Sequence, residues 1–295
     1  MAASPIVLAG TGEPEPAGGL LTFIGTATVL VRAGGFTFLT DPNFLHQGDS
    51  AKLGYGLRSK RLTEPSMSIA ELPPLDFVVL SHHHGDHFDD VAAAELDKRI
   101  PILTTAHAAA KLRGQGFLAA TALETWESQD VLRGDDRVRV TAMPGRHGPG
   151  PLDALLPPVM GTMLEFGRHD RSTFRLYITG DTLLHDRLAE IPRRYPEIDL
   201  ALVHLGGTKV LGVLVTMNAS QGVRALQLIR PRTAVPIHYS DYTVFKEPLS
   251  VFKDAVAAAS LPTNVRYVSH GETYRFDLDL DRDRSERAQK QERRS

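Results

Sequence analysis

Residues 77–90 read FVVLSHHHGDHFDD, four histidines set directly behind an apolar run. Such a run reads as a buried strand, and polar side chains gathered where it ends need partners or water. Histidines in that number point to a metal ion. His82, His84, Asp86 and His87 satisfy the pattern H-x-H-x-D-H. On extended backbone alternate residues share a face, so His82 and His84 reach one ion while His83 faces elsewhere. Asp86 and His87 fall on the turn into a helix starting near Asp89 and can serve a second ion. The chain has no cysteine. Disulfides, thiolate ligands and a cysteine nucleophile are therefore excluded, and nitrogen and oxygen are left as the metal donors.

The remainder has to build a scaffold for this motif. At 295 residues and 42% hydrophobic content the chain can bury a sizeable α/β core. Short β-branched and aromatic runs, LLTFIG, TVLVRA and FTFLT, are separated by turn residues and predict an opening antiparallel meander. A second strand-rich region contains DRVRVTAM, VMGTMLEF, TFRLYIT, DLALVHL, TAVPIH, VRYVSH and TYRFDL. Helical spacing appears in DDVAAAELDKR, in AHAAAKLRG, in NASQGVRALQLIR behind a capping Asn218, and in PLSVFKDAVAAAS. Strands at both ends with helices between them predict an α/β fold, a four-layer αββα sandwich. Two mostly antiparallel or mixed sheets lie face to face, with helices on both outer faces. No linker divides the chain, so a single domain is expected over residues 20–280. Residues 1–19, rich in Gly, Pro and Glu, read as a flexible leader, and the mixed-charge stretch 281–295 as a disordered tail.

A net charge of −2 offers no global field for nucleic acid or an anionic membrane, so the expected partner is a small molecule and no nucleic-acid partner is expected. No stretch has the roughly 18 consecutive apolar residues of a membrane span, and the N-terminus lacks the pattern of a signal peptide. A cytoplasmic location is expected. Nothing in the sequence opposes a homo-oligomer.

H-x-H-x-D-H after a strand resembles the signature of the metallo-β-lactamase fold superfamily. That resemblance implies three further ligands in order: a lone His, a bridging Asp and a final His. His147 in PGRHGPG, Asp181 in LYITGDT and His238 in VPIHYSDY occupy strand ends in that order. Each has a structural alternative. Asp181 also suits the N-cap of a following helix, and His238 competes with His270 in VSHGETY. The family context favours His238 and leaves His270 as a turn residue. His204, ending DLALVH beside the expected pocket, is either a proton donor or a buried structural histidine.

Within the superfamily, the opening resembles the L-ascorbate-6-phosphate lactonase-like hydrolases and the N-acylphosphatidylethanolamine phospholipase D-like group. Both place a Gly-x-Ala-(Thr/Ser) turn before a hairpin ending in Thr-Asp-Pro. Gly25, Ala27 and Thr28, then Thr40, Asp41 and Pro42, stand in those places. The resemblance favours a role for Asp41 behind the metal histidines, accepting an imidazole N–H. One departure weighs against phospholipid cleavage: Thr216 stands, before Met217-Asn218-Ala219, where phospholipase-like members often carry His.

This ligand set implies two divalent cations about 3.5–4 Å apart, with a water between them that is deprotonated near neutral pH and attacks a carbonyl or phosphoryl centre. Asp86 would orient that water and accept its proton. Zinc is the default by availability, with manganese or iron as alternatives. The reaction expected is hydrolysis of a small ester, lactone or phosphodiester. A redox enzyme of the same fold, persulfide dioxygenase-like with iron, is the second reading, and a nucleic-acid processing hydrolase the third. Substrate choice is expected to lie in the polar stretch 45–68. There Arg58, Lys60 and Arg61 offer a clamp for an anionic group, and Tyr55 can stack on a ring. Tyr242 is a further pocket residue, and Tyr239 an oxyanion donor. The insert PGPLDALLPPVMGT is expected to add an apolar wall beside His147.

Overall fold

A computed structural model describes residues 4–10, 18–168, 171–210, 212–278 and 280. Most of the expected leader and the whole of 281–295 lie outside these residues.

The apolar runs pair into two large sheets. One has the order Ile6–Val7, Ser128–Arg133, Asp136–Pro144, Met160–Arg168, Arg171–Ile178, Leu200–His204, Thr233–Ile237, Asn264–Val265. The other runs Thr273–Phe276, Gly19–Gly25, Thr28–Ala33, Phe36–Thr40, Phe77–Val79, Ile102–Thr104, Ala120–Ala122. Gly19–Gly25, Thr28–Ala33 and Phe36–Thr40 form the antiparallel meander that their turn residues predict.

Three buried clusters define the layers. Between the sheets, Phe23, Val31, Phe38 and Phe77 meet Val140, Leu164, Phe166 and Leu202. Outside the first sheet, Met163, Tyr177 and Val203 are covered by Val223, Leu226 and Ile229 of helix Ala219–Ile229 and by Phe252 of helix Leu249–Ala258. Outside the second, Leu39, Val78 and Ile102 are covered by Ala92 of helix Asp90–Glu95 and by Ala108, Ala109 and Leu112 of helix Ala106–Gly114. This is the predicted four-layer αββα sandwich of two mixed sheets. It buries both faces of the central strands, which explains why they read as nearly continuous apolar runs.

The expected leader is corrected in part. Ile6 and Val7 pair in parallel with Val131 and Leu132 at the edge of the first sheet, and Gln129 Nε2 donates to the Ser4 carbonyl at 2.8 Å. Ile6 and Leu8 pack on the inter-sheet core, so burial of this short apolar run holds it in the sheet. The stretch 45–68 is also more regular than its polarity suggests, because Ser50–Gly54 and Leu57–Lys60 form a two-stranded hairpin. No helix among the described residues is long and apolar enough to cross a membrane.

Topology places the chemistry. Arg171–Ile178, Leu200–His204 and Thr233–Ile237 run parallel side by side, so their carboxyl ends open at one edge of the sandwich. Phe77–Val79 and Asp136–Pro144 end at the same edge, which brings five strand-end loops together.

Candidate metal centre

The loop after Phe77–Val79 turns at His84, whose carbonyl accepts from His87 N at 3.0 Å and Phe88 N at 2.8 Å. Asp89 then caps helix Asp90–Glu95 by accepting from Ala92 N at 2.8 Å. His82 and His84 project to one place and His83 leaves it, as alternation predicts. His82 Nε2 lies 2.9 Å from His84 Nδ1, and His147 Nε2 lies 3.3 Å from the same atom. These three buried imidazoles form one potential ligand group, and Asp86, His87 and His238 form another. His238 Nε2 lies 3.6 Å and His87 Nε2 4.0 Å from Asp86 Oδ2. Asp181 stands between the groups, its Oδ2 3.4 Å from His87 Nε2 and its Oδ1 3.4 Å from His238 Nδ1, and it shares a third group with His82 and His87.

Backbone contacts set which ring nitrogens are free. His147 Nδ1 lies 3.1 Å from the Asp181 carbonyl and 3.2 Å from that of Val215, and His238 Nδ1 lies 3.2 Å from the Leu205 carbonyl. Carbonyls only accept, so both Nδ1 atoms carry the proton and both Nε2 atoms present a lone pair. Gly180 makes the approach of Asp181 possible. Its φ is +63° and a Cβ there would sit 2.5 Å from the Met160 carbonyl oxygen.

Asp41 supports the centre from behind. Its Oδ1 accepts from Ser81 N and Ser81 Oγ, each at 2.8 Å, and lies 3.5 Å from His87 Nδ1. Its backbone is left-handed, at φ +36°, as is that of His238 at +63°. Two non-glycine residues held there mark a local cost that the surrounding structure absorbs.

The donor set fits cations. Burial, reinforced by neighbouring imidazoles, lowers the pKa values of His82 and His147 and takes His84 down to about 3, so all three stay neutral. Burial also opposes charge on His87, yet Asp181, Asp86 and Asp41 raise its pKa well above the ordinary value. That position therefore lies in a field that favours positive charge. His87 Nε2, His238 Nε2, Asp86 Oδ1 and Asp181 Oδ1 are buried without hydrogen-bond partners, which native interiors rarely tolerate unless another ligand is bound.

A model of the beta-lactamase superfamily domain matches residues 37–239, more than half of the chain. The chain belongs to that superfamily. A UPF0173 metal-dependent hydrolase of Carboxydothermus hydrogenoformans is 29% identical over 255 residues, covering 83% of this chain and 95% of the relative. N-acyl-phosphatidylethanolamine-hydrolyzing phospholipase D 1 of Caenorhabditis elegans is 27% identical over 254 residues, 80% of this chain and 69% of the relative. Relatives of these two kinds place the chain in the branch that its opening hairpin resembles. Among solved structures, isothiocyanate hydrolase from Delia radicum gut bacteria superposes with a TM-score of 0.74 at 23% identity, over 88% of this chain and 100% of that one. The last likeness is one of fold.

Above the centre of this superfamily member lies a narrow cavity of about 40 Å³. Its floor is His84, Asp86, His147 and Asp181, and Leu53, Leu57, Leu156, Val210 and Val215 line its sides with Tyr55 and Thr208. Leu156 belongs to the insert that was expected to form an apolar wall. The Tyr55 hydroxyl donates to the Leu155 carbonyl, closing the hairpin tip against that insert.

Several expected substrate residues are placed elsewhere. Arg61 is fully buried, bonded through Nε to the Thr63 carbonyl at 3.0 Å and through Nη1 to the Asn43 carbonyl at 3.1 Å, so it clamps backbone and not substrate. Arg58 and Lys60 lie on the exposed face of their strand, because alternation turns Leu57 to the cavity and Arg58 away from it. Tyr242 is buried and donates to Asn43 Oδ1 at 3.0 Å. Tyr239 packs in the inter-sheet core with its hydroxyl directed to the Val268 carbonyl at 3.4 Å, which removes it as an oxyanion donor. His204 lies behind the centre, with Nε2 3.5 Å from Asp41 Oδ2 and Nδ1 3.2 Å from Thr179 Oγ1. It does not line the cavity, and with Asp41 and His87 it forms a further buried group of potential ligands. His270 Nε2 lies 3.4 Å from Asp241 Oδ1, away from the metal groups.

Two supporting residues escaped the sequence reading. Asn43 donates to the Gly85 carbonyl at 2.9 Å and to Asp89 Oδ2 at 3.0 Å, and accepts from Tyr242 and Arg61. It joins the end of the first hairpin to the histidine loop. Thr216, noticed only as a departure from its relatives, donates through Oγ1 to Asp181 Oδ2 at 2.8 Å. The only sequence signal for Asn43 was its place just after Thr-Asp-Pro, and its partners are distant in the chain.

Proposed function

We propose that the chain is a hydrolase holding two divalent ions, one on His82, His84 and His147 and one on Asp86, His87 and His238, with Asp181 facing both. The observation that carries this reading is the convergence of seven buried side chains, of which His84, Asp86, His87, Asp181 and His238 each keep a buried nitrogen or oxygen atom with no hydrogen-bond partner. Zinc is the first choice for such nitrogen and oxygen ligation, with manganese or iron as alternatives. When bound, such ions supply water activation and polarisation of a carbonyl or phosphoryl oxygen.

The side chains have complementary tasks. Asp86, lining the cavity with a free Oδ1, accepts a proton from the attacking water. Leu53, Leu57, Leu156, Val210 and Val215 exclude bulk water and receive an apolar group beside the scissile bond. The narrow cavity admits only a small group at the reacting end of an ester, lactone or phosphodiester. Among the described residues no Lys or Arg lines this inner cavity, so specificity at the reacting end rests on shape and apolar contact.

The test is a screen of metal-replete protein against p-nitrophenyl phosphodiesters, lactones, acyl esters and a cephalosporin, with metal analysis. Turnover of one of these classes that a chelator abolishes and zinc or manganese restores is the expected result. A coloured, iron-loaded protein that consumes oxygen and hydrolyses none of them would replace this reading with the redox one.

A further inference from the structure

Beside the inner cavity lies a second, larger cleft of about 360 Å³, between the hairpin of residues 50–60 and helix Ala106–Gly114. The two spaces share His84 and Tyr55 in their walls, so the cleft adjoins the metal-facing cavity. Its size falls in the range of small-molecule sites, about 300–1,000 Å³.

The chemistry of this cleft differs from that of the inner cavity. His107 and Lys111, four residues apart, share one helix face, Gln115 caps the end of that helix, and all three line the cleft. His83, the motif histidine that points away from the metal groups, meets them there. Its Nε2 lies 3.3 Å from Gln115 Oε1. His107 Nδ1 is buried without a partner.

Three charged groups besides Lys111 border the space. Lys52 is paired with Asp90 at 2.6 Å, which neutralises both. Asp89 is already saturated, accepting from Ala92 N, Leu45 N, Phe44 N and Asn43 Nδ2. Lys111 has no ion-pair partner among the described residues, and it stands beside two imidazoles and an amide that can all donate. Leu45, Phe88 and Pro157 add apolar surface.

We propose that this cleft binds the oxyanionic end, a carboxylate or a phosphate, of a small organic molecule whose other end reaches the metal centre. Lys111 supplies the charge, and His107 and Gln115 supply hydrogen bonds. The link to the reacting end rests on the hydrolytic reading above, whereas the anion site stands on the cleft itself. Lys111, with His107 and Gln115, thus takes the role that the sequence reading gave to Arg58, Lys60 and Arg61.

Calorimetric titration of the metal-replete protein with hexanoate, hexyl phosphate and the neutral hexanamide tests this. The wild type should bind at least one anion more tightly than the amide, and Lys111→Met should weaken that anion by at least about fivefold while amide binding and metal content stay unchanged. The tighter of the two anions identifies the headgroup. Lys111→Gln repeats the test with a polar side chain and guards against a fold lost to the apolar substitution. Equal affinity for anion and amide in the wild type, or anion affinity that survives both substitutions, overturns the proposal. Anion affinity that survives both substitutions assigns anion binding to the metal ions. Chelator-sensitive hydrolysis that persists alongside such a result leaves the hydrolase reading standing, and anion binding without any such hydrolysis does the reverse.

Discussion

Thr216 Oγ1 donates to Asp181 Oδ2 at 2.8 Å, while Asp181 Oδ1 has no hydrogen bond. The hydroxyl holds one oxygen of the carboxylate and leaves the other free for a cation. Thr216→Val keeps the shape and removes the donor, so the weaker ion should lose about 10–100-fold in affinity with the fold intact. Competition with a chromogenic chelator measures it, and unaltered affinity would reduce Thr216 to a packing residue.

Asp181→Ala removes the carboxylate that stands between the two ligand groups. The variant should lose most of one ion, and kcat/KM should fall by roughly 100-fold or more, with an unchanged circular dichroism spectrum. Two ions per chain and a near-normal rate would refute the assignment.

His238 and His270 both follow apolar strands, but only His238 joins the metal groups. His238→Ala should lower metal content, and His270→Ala should leave it unchanged while loosening the contact with Asp241. The opposite pattern in elemental analysis would place the final ligand on the wrong strand.

Asp241 anchors the loop after His238 by accepting from Thr26 N at 2.7 Å and from the Thr63 hydroxyl. Burial works against its ionisation, yet His270, Thr63 and the Thr26 amide lower its pKa below the ordinary 3.8. Because the folded value is depressed, its stabilisation is complete above pH 3.8 and disappears as pH falls through the lowered value. Asp241→Asn should therefore cost about 1–3 kcal/mol at pH 7. The gap between wild type and variant should close in denaturation curves taken below pH 3.8, and a constant gap would show that the charge is irrelevant.

Arg61 and its neighbours Arg58 and Lys60 should separate cleanly. Arg61→Met breaks buried hydrogen bonds to Asn43 and Thr63 and should destabilise by roughly 2–4 kcal/mol. Arg58→Gln with Lys60→Gln should stay within about 0.5 kcal/mol and leave the preference between anionic and neutral substrates unchanged. Urea denaturation and paired kcat/KM values check both.

The sequence by itself determined most of the strands and the four-layer plan, and it singled out His82, His84, Asp86 and His87 as candidate ligands. Each depends on local pattern: apolar runs set strands, and alternate spacing at a strand end aims His82 and His84 together while sending His83 elsewhere. His147, Asp181 and His238 were singled out through the resemblance to the superfamily, which implies a His, an Asp and a His at later strand ends, and the residues alone left His270 open beside His238. Tertiary structure decided what surrounds that centre. Arg61 looked like a clamp because a basic residue in a polar stretch has no local signal of burial, yet Asn43, 18 residues away, captures it. Tyr239 and Tyr242 flank the loop after His238, but the left-handed turn at His238 and Ser240 directs them into the core. The inner cavity draws Leu53 and Leu57 from a hairpin, Leu156 from an insert and Val210 and Val215 from another. Which face of each segment meets the ions depends on register and packing between residues far apart in the chain, and no short stretch of sequence carries that information.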